Sequence, residues 1–90
     1  METMRALVYD RPSVCSVRDV PMPVCGEDEV VIKVMAASIC KGADRRHHTT
    51  GHKLGRYPIT TGHEFAGYIY QVGSAVTGWN VGDRVTADNA

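Results

Sequence analysis

Gly62-His63-Glu64-Phe65-Ala66-Gly67-Tyr68-Ile69-Tyr70-Gln71-Val72 carries the strongest local signal in this chain. Its opening sets an imidazole beside a carboxylate, behind a glycine that lets the backbone turn tightly. Glycine aside, Phe65 to Val72 reads as a strand, with Gly67 marking a place where another backbone comes close. Upstream, the apolar run from Glu29 to Ile39 ends at Cys40, and Asp44 follows shortly after. A thiolate, an imidazole and one or two carboxylates form the donor set of a borderline-soft divalent ion. Cys40 and His63 are therefore candidate ligands of one metal centre, with Glu64 and Asp44 as the acidic groups beside them.

Working outward, Glu29 to Ile39 is the strongest strand. Val30, Ile32, Val34 and Ala36 share one face, while Val31, Met35 and Ala37 lie on the other, interrupted by Lys33. A strand apolar on nearly both sides is expected to be mostly covered. Met4 to Asp10 alternates and predicts an antiparallel strand, followed by a turn at Arg11-Pro12-Ser13. Val14 to Val20 mixes apolar with polar residues and suits an edge position. Pro21-Met22-Pro23 ends it, because proline lacks the ladder donor. Lys41 to His48 suits a short helical turn, and Thr49 to Thr61 a long loop of the kind that carries function. A turn over Gly78 to Asp83 leads into a last strand from Arg84, with Trp79 expected to pack. Many short strands, frequent turns and little helix predict a mainly β fold, a small barrel or sandwich.

The totals narrow the classes of function. Ninety residues suit one small domain. Ten basic and ten acidic residues cancel, so neither nucleic acid nor an anionic membrane is an expected partner. No long apolar stretch follows the opening Met1-Glu2-Thr3-Met4-Arg5, which predicts neither signal peptide nor membrane span. Cys15, Cys25 and Cys40 are three cysteines and cannot all pair within the chain. Reduced thiols in a cytoplasmic setting are the expectation. Cys15 and Cys25 match no motif. His47, His48 and His52 read as members of a solvated or substrate-pocket loop rather than as a metal site.

A set of short motifs in order then identifies the chain as resembling the N-terminal, GroES-like part of the zinc-dependent medium-chain dehydrogenases, the alcohol and sorbitol dehydrogenase superfamily. They are Met4-Arg5-Ala6-Leu7-Val8-Tyr9, Pro21-Met22-Pro23, Glu29-Val30-Val31-Ile32-Lys33-Val34, Ser38-Ile39-Cys40 with Asp44, Gly62 to Gly67, Val72-Gly73-Ser74-Ala75-Val76 and Gly82-Asp83-Arg84-Val85. The resemblance implies a partly open GroES-like β-barrel over residues 1–90, incomplete and truncated before the Rossmann domain. It implies Zn2+ held by Cys40 and His63, with Glu64 as ligand or near neighbour and Asp44 orienting the histidine. The last protein ligand and the NAD or NADP site would lie beyond Ala90. The implied substrate is a small alcohol or polyol, and the implied full-length protein a homodimer or homotetramer. On this expectation the chain alone is inactive.

The chain departs from the family at Cys40-Lys41-Gly42-Ala43-Asp44. One residue is extra, and Ala43 replaces the hydroxyl that commonly starts the family's proton relay, a role for which His47 is the nearest substitute. Lys41 is a weak candidate for cofactor phosphate. No G-x-G-x-x-G occurs, nor the family's cluster of four cysteines. Two other readings stay open: a non-enzymatic GroES-like structural module, and a zinc-free member of the quinone reductase type. Cys40, Asp44, His63 and Glu64 together favour the zinc enzyme.

Overall fold

The computed structural model describes residues 2–40, 43–49 and 56–87. The chain gathers into two compact units: Met1–Met22 with Ile39–His63, and Pro23–Ser38 with Glu64–Ala90. It is mainly β, with six strands and one short helix among the described residues. Each unit holds one antiparallel three-stranded sheet.

In the first unit the strands are β1 (Thr3–Arg11), β2 (Val14–Pro21) and β4 (Ile59–Thr60), in the order β2-β1-β4. β1 and β2 form a hairpin whose turn contains Ser13 at φ 64°. The ladder runs from Arg11↔Val14, through a register shift between Tyr9 and Arg11, to Thr3↔Pro21, and beyond the proline Met22 N–H donates to Glu2 C=O at 3.2 Å. β2 is the exposed edge, as its mixed composition predicts. β1 lies in the middle and supplies the buried Val8 and Tyr9. Helix α1 (Ala43–Thr49) occupies the predicted helical turn. It is tied to this sheet through His48: Ser13 Oγ donates to its carbonyl at 2.8 Å, and its ring Nδ1 lies 2.8 Å from the Tyr9 hydroxyl.

In the second unit β3 (Val30–Ser38), β5 (Glu64–Val72) and β6 (Arg84–Thr86) lie in the order β3-β5-β6. β5 is central, and its Ile69 is 1% exposed. The Gly82-Asp83 turn extends β5's pairing, with Ile69 N–H donating to Asp83 C=O at 2.9 Å and Gly82 N–H to Ile69 C=O at 2.8 Å. Gly82 has φ 95°, a backbone state that costs other residues strain. An apolar groove of about 510 Å³ is lined by Val30, Ile32, Ile69, Val76, Trp79 and Val85.

Two expectations need correction. β3 is not covered on both faces: Val34 is 51% and Met35 66% exposed. β3 is an edge strand, and its register slips between Val34 and Ala36. The extra residue of such a bulge breaks the strict alternation on which a two-faced assignment rests. Trp79 likewise is 54% exposed, because it sits in the turn before β6 and borders the groove rather than filling it.

Gly67 pairs with Val34 on one side and Val85 on the other. A Cβ there would stand 1.9 Å from the Lys33 carbonyl oxygen, a backbone atom that no side-chain rotation can move aside. Gly67→Ala is expected to lower stability by about 1–3 kcal/mol, the usual range for overpacking. Urea unfolding followed by circular dichroism checks this.

Candidate metal centre

The β3–β5 ladder explains how residues so far apart in sequence become neighbours. Its last rung is Ser38↔Glu64. Cys40 lies just past the end of β3, and His63 just before the start of β5. Pairing of these strand ends therefore fixes the two points from which the chain departs toward Cys40 and His63. Gly62, at φ 113° with nothing within 4 Å of a would-be Cβ, supplies the bend before His63. Its glycine is needed for conformation, not for space.

Cys40 Sγ and a ring nitrogen of His63, both half-buried, lie within 4.8 Å of each other. Two ligands on one tetrahedral zinc stand about 3.5 Å apart, given Zn–S and Zn–N bonds of about 2.3 and 2.0 Å. The pair is thus within about an ångström of a chelating separation, a gap that a rotamer adjustment spans. Thiolate with imidazole is also the donor chemistry that suits zinc rather than magnesium or calcium. The residues present fit the ion.

Glu64 follows His63 directly and opens β5. Its carboxylate is not left to rotate, because Ser38 Oγ donates to Glu64 Oε1 at 2.9 Å. Ser38 belongs to the Ser38-Ile39-Cys40 motif, but nothing in the sequence gives it a partner. Its signal is only its position, two residues before Cys40, and its partner becomes visible once the β3–β5 register is known. Asp44 belongs to α1, and its side chain, like that of His47, lies outside the described set. Lys41 and His52 lie outside the described residues.

His48 has a different job from the one its loop-like sequence suggests. It lies in α1, and its ring meets Tyr9 edge-on, with centroids 5.7 Å apart and planes at 80°. With the 2.8 Å hydrogen bond this makes a fastening between helix and sheet. Cys15 and Cys25 take part in no disulfide, in keeping with expectation. The Cys25 thiol faces main-chain carbonyls, the nearest being that of Glu29 at 3.3 Å.

With this geometry in view, comparison with known proteins is direct. The profile of the alcohol dehydrogenase GroES-like domain matches residues 26–90. The chain belongs to that family. Over 72 residues it is 49% identical to an uncharacterized zinc-type alcohol dehydrogenase-like protein of Escherichia coli, covering 80% of this chain and 20% of that protein. It is 41% identical over 91 aligned positions to a sorbitol dehydrogenase of Bacillus subtilis, covering 97% of this chain and 25% of the other. Among solved structures, a zinc-binding dehydrogenase from Sinorhizobium meliloti bound to NADP superposes with a TM-score of 0.88 at 36% identity, over 98% of this chain and 25% of that one. The relatives are oxidoreductases, and the mainly β, GroES-like fold is shared with them. This chain spans a quarter or less of the length of these proteins. Among the described residues no helix is long and apolar enough to cross a membrane.

The fastening of α1 makes a prediction. Tyr9→Phe removes one hydroxyl and leaves the His48 ring contact in place, so it is expected to cost about 1 kcal/mol. For a domain of this size that is a fall in Tm of about 4–8 °C, measurable by thermal unfolding.

Proposed function

We propose that this chain supplies the metal-binding part of the catalytic domain of a zinc-dependent, NAD(P)-linked dehydrogenase that acts on alcohols or polyols. The observation that carries the proposal is the proximity of Cys40 Sγ and a His63 ring nitrogen, within 4.8 Å across a wide gap in sequence. The names of the relatives support the class: zinc-type alcohol dehydrogenase-like, sorbitol dehydrogenase, and a zinc-binding dehydrogenase bound to NADP.

In this proposal Cys40 and His63 hold the ion, Glu64 stands as ligand or immediate neighbour, and Asp44 orients the His63 ring. Bound zinc would supply Lewis acidity, polarising a hydroxyl oxygen so that hydride loss to nicotinamide becomes easier. The chain's own contribution is positional. Cys40 brings an anionic sulfur that lowers the net charge of the site. His63 brings a neutral donor whose tautomer is set by whatever accepts its other N–H. Glu64 adds a second negative group, aligned by Ser38. The nicotinamide would be held outside these ninety residues, with Lys41 a candidate for contact with its phosphates. The protein would be cytoplasmic, and as a complete enzyme a homodimer or homotetramer.

Two measurements test this. Metal analysis of the purified protein is expected to find about one zinc per chain, and Cys40→Ala and His63→Ala are each expected to lose it, since a chelate missing one of its protein ligands binds far more weakly. Zinc retained in full by both variants would exclude the assignment. Separately, residues 1–90 alone are expected to show no NAD(P)-linked oxidation of sorbitol or simple alcohols, while a longer polypeptide that includes a nucleotide-binding domain shows it. Turnover by the ninety residues alone would be fatal to the proposed division of labour.

A further inference from the structure

Resting on the zinc reading above, we infer that Ser38 is a positioning residue for the centre, through its hold on the Glu64 carboxylate. Ser38 and Glu64 form the final rung of the β3–β5 ladder. Residues directly opposite on antiparallel strands have their Cβ atoms about 4.5–5.5 Å apart, so a short hydroxyl meets a longer carboxylate without strain. The contact is made: Ser38 Oγ donates to Glu64 Oε1 at 2.9 Å.

Two consequences follow from that bond. First, it restrains the terminal torsion of Glu64, which is otherwise broad and roughly two-fold. If Glu64 takes part in holding a cation, as proposed above, less side-chain freedom is lost on binding. Second, it clamps the strand ends where the chain leaves for Cys40 and arrives from His63. The first effect acts on the metal, whereas the second would act on stability alone. Hydrogen-bonded partners of ligating groups typically govern metal affinity by about 10–100-fold. Because the Ser38–Glu64 pair is exposed in this chain, the lower end of that range is expected.

Zinc affinity of the purified protein, measured by competition with a chromophoric chelator, tests the inference together with thermal unfolding of each metal-free variant. Ser38→Ala is expected to weaken zinc binding about tenfold. Ser38→Thr keeps a hydroxyl on a β-branched side chain suited to a strand, and is expected to restore affinity close to that of the parent protein. In a Glu64→Ala background, Ser38→Ala is expected to change zinc affinity no further. Unchanged affinity in Ser38→Ala, while Cys40→Ala loses the ion, would overturn the role of Ser38 and leave the zinc centre standing. An equal loss with or without the Glu64 side chain would also overturn it, by showing that Ser38 acts on the strand ends alone. Full zinc binding by Cys40→Ala would remove the centre itself, and Ser38's role with it.

Discussion

The pairing of β3 with β5 is the constraint on which the rest depends. It runs from Val30↔Val72 to Ser38↔Glu64 and includes two register slips. Each slip adds a residue to one strand, the first at Tyr70 and the second at Met35. The position of the last rung is therefore set by the bulges as well as by side-chain alternation. Had the second bulge been absent, Ser38 would not have stood opposite Glu64. The points from which the chain continues to Cys40 and returns from His63 would have moved by one residue.

Glycine is required at two sites for different reasons. At Gly67 the limit is space, since the Lys33 carbonyl lies where a Cβ would go. At Gly62 the limit is conformation, since φ is 113° while the surrounding space is open. The first keeps two backbones close along the ladder. The second turns the chain so that His63 enters beside Cys40.

The first unit answers a separate need. α1 has only seven residues, too short to persist in water on its own propensity. Its attachment to β1 and the hairpin turn, through both the ring and the carbonyl of His48, supplies what propensity does not. Asp44 is carried on this same helix.

The amino-acid sequence by itself determined five of the six described strands, missing β4 within the loop expected over Thr49 to Thr61, together with the stop at Pro21, the glycine turns and the candidate donors Cys40, His63 and Glu64. These are local matters of alternation, missing donors, allowed backbone angles and side-chain chemistry, which neighbouring residues settle among themselves. The tertiary structure alone decided that Ser38 faces Glu64, that Tyr9 engages His48, that Met35 turns outward and that Trp79 borders a groove. Each depends on register or on a bulge, and these follow from how strands distant in sequence match along their whole length. No local pattern holds that information, because shifting a strand by one residue exchanges every side chain's face without changing the sequence at all.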